Sequence, residues 1–169
     1  SNEGTNHKNN HRFSAINFNS ATSSFIKVNH HKRFNFNTFQ DFSISFYVSA
    51  SATSSNDTMS TSEKRYIMAK NGTNTIVSSG SEFIDIDLVS PQYPYEIYMQ
   101  SQSLFFARSD GDSVDIISGP LPAEANKFSH VLCQMSASTM QIYLDGNLTA
   151  SKTNTLKTST LNDSPIYIG

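Results

Sequence analysis

Downstream of Phe13 the chain alternates between apolar and polar residues in short bursts. Ile16 and Phe18 share one parity, and so do Ile26 and Val28 in SFIKV. The clearest burst is DFSISFYVSA: Phe42, Ile44, Phe46 and Val48 point one way, Ser43, Ser45, Tyr47 and Ser49 the other. A period of two with one small, polar face predicts a half-buried antiparallel strand. Further strands are predicted in RYIMAK, TIVSS, EFIDIDLVS, YEIYMQS, SLFFARS and SVDIIS. Asn71-Gly72, Ser79-Gly80, Pro91, Pro94 and Asp110-Gly111 punctuate them as turn or strand-ending signals. Residues 49–64 carry almost no apolar side chain and predict a long exposed loop.

Near the C-terminal end, FSHVLCQMSASTMQIYLDGNLTAS holds two reversals. VLCQMSA and MQIYLDG form a meander turning at Ala137-Ser138. Asp145-Gly146 then predicts a type I′ hairpin, whose two central residues must both accept positive φ. Ile142 and Leu144 face the core from the middle strand. No window sustains a helical period, although residues 119–127 have room for one helical turn. Many short strands separated by turns define an all-β, antiparallel sandwich or barrel.

Composition sharpens this reading. Ser, Thr and Asn supply roughly a third of the 169 residues, while charged residues make up 15% against an ordinary quarter. The surface is therefore polar with little charge, and these side chains disfavour helix interiors by competing for backbone groups. A net charge of -2 argues against nucleic acid as the main partner. No run of about twenty apolar residues is available to insert into a membrane. Cys133 is the single cysteine and lies in an apolar run, which excludes an internal disulfide and reads as a buried, inert thiol. Residues 1–12 are polar and aperiodic, a loose lead-in with a possible tag remnant at residues 1–2; residues 13–169 form the expected domain.

FSHVLCQMSASTMQIYLDGNLTAS resembles the laminin-G-like segment of the concanavalin A-like lectin/glucanase superfamily, which runs W-H-H-V, a short turn, then L-Y-V-D-G. Phe128 stands at the Trp position, and His130-Val131 and Tyr143-Leu144-Asp145-Gly146 match. SPIYIG, INFNSATSSFIKV, FNFNTFQDFSISFYVSA and RYIMAKNGT are similar to the strands that flank that segment. The resemblance implies a jelly-roll β-sandwich. It also implies about two further strands after Y-I-G, so the final strands are apparently missing. The open sheet edge is then expected to be covered by another chain or by a missing C-terminal segment.

Several kinds of chemistry are open to these residues. Glu82, Asp85 and Asp87 in EFIDID fail the laminarinase pattern: Glu82 lies on the other parity, and no acid follows at the required spacing. His7, His11, His30 and His31 fall in polar N-terminal segments, and His130 alternates with core residues, so it reads as a sheet-surface residue. Asp110, Asp112 and Asp115 crowd oxygens that suit Ca²⁺, although a plain turn is the favoured reading and the spacing is not that of an EF-hand. In PQYPYEIY, Tyr93 between Pro91 and Pro94 and Tyr95 just after Pro94 are a candidate platform for a sugar's apolar face, held outward on a loop. VNHHKRFNF offers a small basic patch with aromatics nearby. Asn56, Asn71, Asn147 and Asn162 open N-x-S/T triplets, several of which chance alone supplies in such a chain.

These readings converge on a non-catalytic recognition or adhesion module within a larger extracellular or viral or phage attachment protein, with a cell-surface glycan or protein as partner. A purely structural virion or assembly module is one alternative, and a divergent glycoside hydrolase the other.

Overall fold

The computed structural model describes residues 15–16, 18, 24–49, 64–71, 91–121 and 127–169. The lead-in, most of the 49–64 loop, TIVSS, EFIDIDLVS and residues 122–126 of the Pro-bearing link lie outside the described residues. So do the candidate acids Glu82, Asp85 and Asp87.

Ten strands follow in chain order: β1 (Ile26–Val28), β2 (Phe42–Val48), β3 (Arg65–Ala69), β4 (Tyr93–Gln100), β5 (Ser103–Ser109), β6 (Val114–Pro120), β7 (Ser129–Ser136), β8 (Thr139–Leu144), β9 (Asn147–Thr153) and β10 (Ile166–Ile168). They make a six-stranded sheet, β1-β10-β3-β4-β5-β6, and a four-stranded sheet, β2-β7-β8-β9, antiparallel throughout. The predicted all-β sandwich is what forms.

Alternation sets which side chains meet. Phe42, Val131, Cys133, Met135, Met140 and Ile142 of the smaller sheet pack on Tyr95, Ile97, Leu104, Phe106, Ile117 and Ile166 of the larger. Burying one such side chain contributes on the order of 1.5–3 kcal/mol, so this layer outweighs any surface contact. β6 packs against β9 at Gly119 and Thr149. A Cβ on Gly119 would lie 2.8 Å from Thr149 Oγ1, so the position needs a residue without one. Burial pushes the Cys133 thiol up to about 12, which makes it the inert core residue expected from its apolar run.

Both reversals near the C-terminal end are built as the sequence predicts. Ala137 and Ser138 have φ of 46° and 65°, and Asp145 and Gly146 have 49° and 82°. A third turn of this kind, Ser101-Gln102 (φ 49° and 62°), joins β4 to β5 without a glycine to announce it.

Candidate functional site

Charged side chains gather at one end of the sandwich, and they are buried. Arg108 is fully enclosed. Its Nε donates to Pro94 O (2.8 Å), Nη1 to Thr38 O (2.9 Å) and Nη2 to Asn37 O (2.9 Å), while the guanidinium lies over the Phe42 ring. Burial lowers its pKa to about 10, against the pull of Asp115, so it stays a cation at neutral pH. Lys70 is equally enclosed and donates to Ser164 O (2.6 Å), Asn162 Oδ1 (3.0 Å), Asn162 O (3.1 Å) and His30 Nδ1 (3.1 Å). Asn162 Nδ2 donates in turn to Lys70 O (2.9 Å) and Gln92 O (2.8 Å). The loops at 35–38 and 154–164 have few strand partners, and these cations satisfy their carbonyls.

The acidic turn weighed as a candidate for Ca²⁺ belongs to the same framework. Asp110 Oδ1 accepts from the backbone N–H of Asp112 (3.2 Å) and Ser113 (2.8 Å), and Oδ2 from Lys157 (2.8 Å) and Thr158 (3.1 Å). Burial alone would raise its pKa, but these four donors hold the carboxyl down at about 2. Asp115 is also buried; it accepts from Lys152 Nζ (2.6 Å), Thr155 Oγ1 (2.9 Å) and the Thr155 N–H. Asp112 points to solvent. With Asp110 and Asp115 committed to N–H donors, Asp112 is left without co-ligands. Among the described residues no three His, Cys, Asp or Glu side chains converge on a cation position.

Tyr93 and Tyr95 are not on a rim loop. Both lie within β4 and are buried, at 6% and 2% exposure, so neither ring is presented as a platform. Pro94 explains the difference. Lacking an N–H, it is accommodated where the β4–β5 register slips between Tyr93 and Glu96. The slip turns Tyr95 into the main core, beside Phe36 and Phe42, and Tyr93 to the opposite face, with Tyr98 and Ala107. The basic patch resolves into a short 3₁₀ turn, Lys32–Phe34, with exposed side chains.

Among the described residues, the outward face of the four-stranded sheet is half-buried to exposed. The register places Tyr47 beside His130 in one row. Ser45, Leu132, Tyr143 and Leu148 form the next row, and Ser43, Gln134, Gln141 and Ser151 the one after. Thr139 and Thr153 lie beyond, and no Asp, Glu, Lys or Arg occupies an outward position on these strands. Tyr47 is 70% exposed and Leu148 52%. The rings of Tyr47 and His130 meet at 5.1 Å, and Ser45 Oγ lies 2.7 Å from His130 Nε2. Gln134 Nε2 donates to Gln141 Oε1 (2.6 Å), as does the Tyr143 hydroxyl (3.4 Å). These bonds tie the side chains together while both glutamines stay half-buried. The outward parity of β2 is visible in DFSISFYVSA, but nothing local shows that four strands place their neutral residues side by side.

Two antiparallel sheets packed face to face define an all-β jelly-roll sandwich. Within that class, residues 19–169 match the family Laminin_G_3, described as the Concanavalin A-like lectin/glucanases superfamily, and the chain belongs to it. Comparison with the curated proteins gives no match. Among solved structures, the chain is similar to the binding domain of Paraclostridial Mosquitocidal Protein 1, with a TM-score of 0.65 and 19% identity over 86% of this chain and 33% of that one. It is also similar to the botulinum neurotoxin serotype D binding domain, with a TM-score of 0.58 and 13% identity over 86% of this chain and 31% of that one. A third is the receptor binding domain of botulinum neurotoxin C/D mosaic serotype, at 0.55 and 15% over 78% and 28%. The chain spans about a third of each of these domains.

Proposed function

We propose that the protein is a non-catalytic recognition module that binds a neutral cell-surface glycan through the outward face of β2, β7, β8 and β9. The carrying observation is the banding of that face. A stripe of Tyr143, Leu132 and Leu148, with Tyr47 at its end, runs alongside a stripe of Gln134, Gln141 and hydroxyls. A pyranose has the matching character, with C–H groups on its ring faces and hydroxyls around its rim. Each hydroxyl both donates and accepts, and the Gln134–Gln141 pair presents one free acceptor and one free donor side by side. Across four strands at ~4.8 Å spacing the stripe is roughly 14 Å long, suited to a short oligosaccharide. With no cation on the face, sialylated and sulfated sugars gain no charge partner. The binding and receptor-binding domains of similar fold support a recognition role, and placement in a larger extracellular or virion-surface protein follows from this reading.

The test is retention on an array of neutral, sialylated and sulfated glycans alongside cell-surface proteins, with wild type compared to Tyr47→Ala. Retention by neutral glycans that falls at least tenfold in the variant is expected. Retention by anionic glycans or proteins alone removes the sugar class but keeps the recognition role. Absence of any retained ligand removes both, in favour of a structural module.

A further inference from the structure

The sequence holds two Asp-Gly dipeptides, Asp110-Gly111 and Asp145-Gly146, and the fold treats them oppositely. An aspartate followed by glycine can react with its own main chain. The glycine nitrogen attacks the aspartate Cγ, an N–Cγ bond forms, and a Cγ–O bond breaks as that oxygen leaves with two protons as water. The five-membered succinimide then takes up water and opens at either carbonyl. One opening restores aspartate. The other gives isoaspartate, in which the main chain runs through Cβ and Cγ and is one methylene longer. Glycine favours ring closure because it sets no Cβ beside the attacking nitrogen.

At Asp110 both reacting groups are tied down. The carboxylate is buried, and its two oxygens accept from the N–H groups of Asp112, Ser113, Lys157 and Thr158. These donors hold the carboxyl at about 2, which keeps a proton off the oxygen that would have to leave. The nucleophile is engaged as well, since Gly111 N–H donates to Ser109 Oγ at 3.1 Å.

At Asp145 the restraints are few. The dipeptide is the tip of the β8–β9 hairpin, and both residues are exposed. Nothing stands within 4 Å of where a Cβ on Gly146 would lie. The carboxylate accepts one backbone N–H, from His130 to Oδ1 at 2.8 Å. Exposed turn tips open at little cost, whereas freeing Asp110 means stripping four bonds from the buried end of the sandwich.

We propose that Asp145 is a site of spontaneous covalent modification, closing on the Gly146 nitrogen and reopening in part to isoaspartate, while Asp110 is spared. The product changes the hairpin in a defined way. The turn is built on two central residues at positive φ, 49° and 82°, and an added methylene lengthens it. The carboxylate moves to Cα, away from its place on the His130 N–H. The pairs next to the tip, Leu144 with Asn147 and Tyr143 with Leu148, therefore loosen first. The reaction needs only water and is independent of any ligand on the sheet face.

Prolonged incubation of the folded chain in mildly acidic buffer tests this, with digestion and separation of the peptides against synthetic isoaspartyl standards. Isoaspartate at position 145 is expected to exceed that at position 110 at least tenfold. In urea, where the bonds to Asp110 are undone, the two positions are expected to converge. Equal isoaspartate at both positions of the folded chain overturns the proposal. So does a folded chain that stays at background at position 145 while the unfolded chain accumulates the product there. A tenfold gap that persists in urea overturns it too, because the flanking residues and not the fold would then set the rates.

Discussion

The clamp at residues 35–38, 70, 108–115 and 154–164 and the face of β2, β7, β8 and β9 use polar chemistry in opposite ways. In the clamp, Arg108, Lys70, Asp110 and Asp115 are removed from water and bonded largely to backbone. On the face, Ser, Thr, Gln, Tyr and His stay at the surface and are bonded mainly to one another. A buried ion whose partner is removed is far costlier than a lost surface contact, so charge suits positions that must not move. Neutral amides and hydroxyls lose water cheaply, so they suit positions that must exchange water for a ligand.

Substitutions on the two sides should separate widely. Arg108→Met keeps the bulk over Phe42 but strands the carbonyls of Thr38, Asn37 and Pro94. The expected loss is about 3–5 kcal/mol by urea denaturation. A loss as small as that of a surface variant would break the contrast. Asp110→Asn keeps one accepting oxygen of two, stranding a pair of backbone N–H groups, and should cost about 1–3 kcal/mol.

The same aspartate gives the contrast a pH signature. Its folded pKa, about 2, lies below the ordinary 3.8. Its contribution is therefore complete above pH 4 and is lost as pH falls through about 2. Asp115 is also held down, with burial opposing and Lys152 and Thr155 prevailing, and adds in the same direction. Thermal melts between pH 5 and 2 should fall more steeply for wild type than for Asp110→Asn; parallel curves would show that this carboxylate is not what acid attacks. The smallest effect belongs to the face: Tyr47→Ala should shift stability by no more than about 0.5 kcal/mol. A melting temperature far below wild type would mean that the ring is structural.

The sequence exposed these two regions unequally. The smaller sheet was readable because period-two alternation and paired positive-φ turns are local signals, as DFSISFYVSA and Asp145-Gly146 illustrate. The clamp was not, because its partners are distant in the chain: Asp110 bonds Lys157 and Thr158, and Arg108 bonds Thr38. The acids at 110–115 looked like free ligands because nothing nearby in the sequence uses them. Tyr93 and Tyr95 looked outward because Pro91 and Pro94 suggested a loop, whereas the register slip at Pro94 leaves both rings buried. His130 was readable as a sheet-surface residue by parity alone, but its Tyr47 and Ser45 neighbours come from pairing with β2.

Asn162 draws a last consequence from the clamp. Its side-chain nitrogen is the atom an oligosaccharyltransferase would modify within Asn162-Asp163-Ser164, yet in the folded chain both of its hydrogens are held by carbonyls of Lys70 and Gln92. Asn147, by contrast, opens its triplet on an exposed hairpin beside Leu148. In a secretory host, an attached sugar at the first position would have to precede folding and would disrupt the loop anchor. At the second it would be carried without strain, at the border of the very surface assigned to ligands, so material from such a host and from bacteria should differ in recognition before it differs in fold.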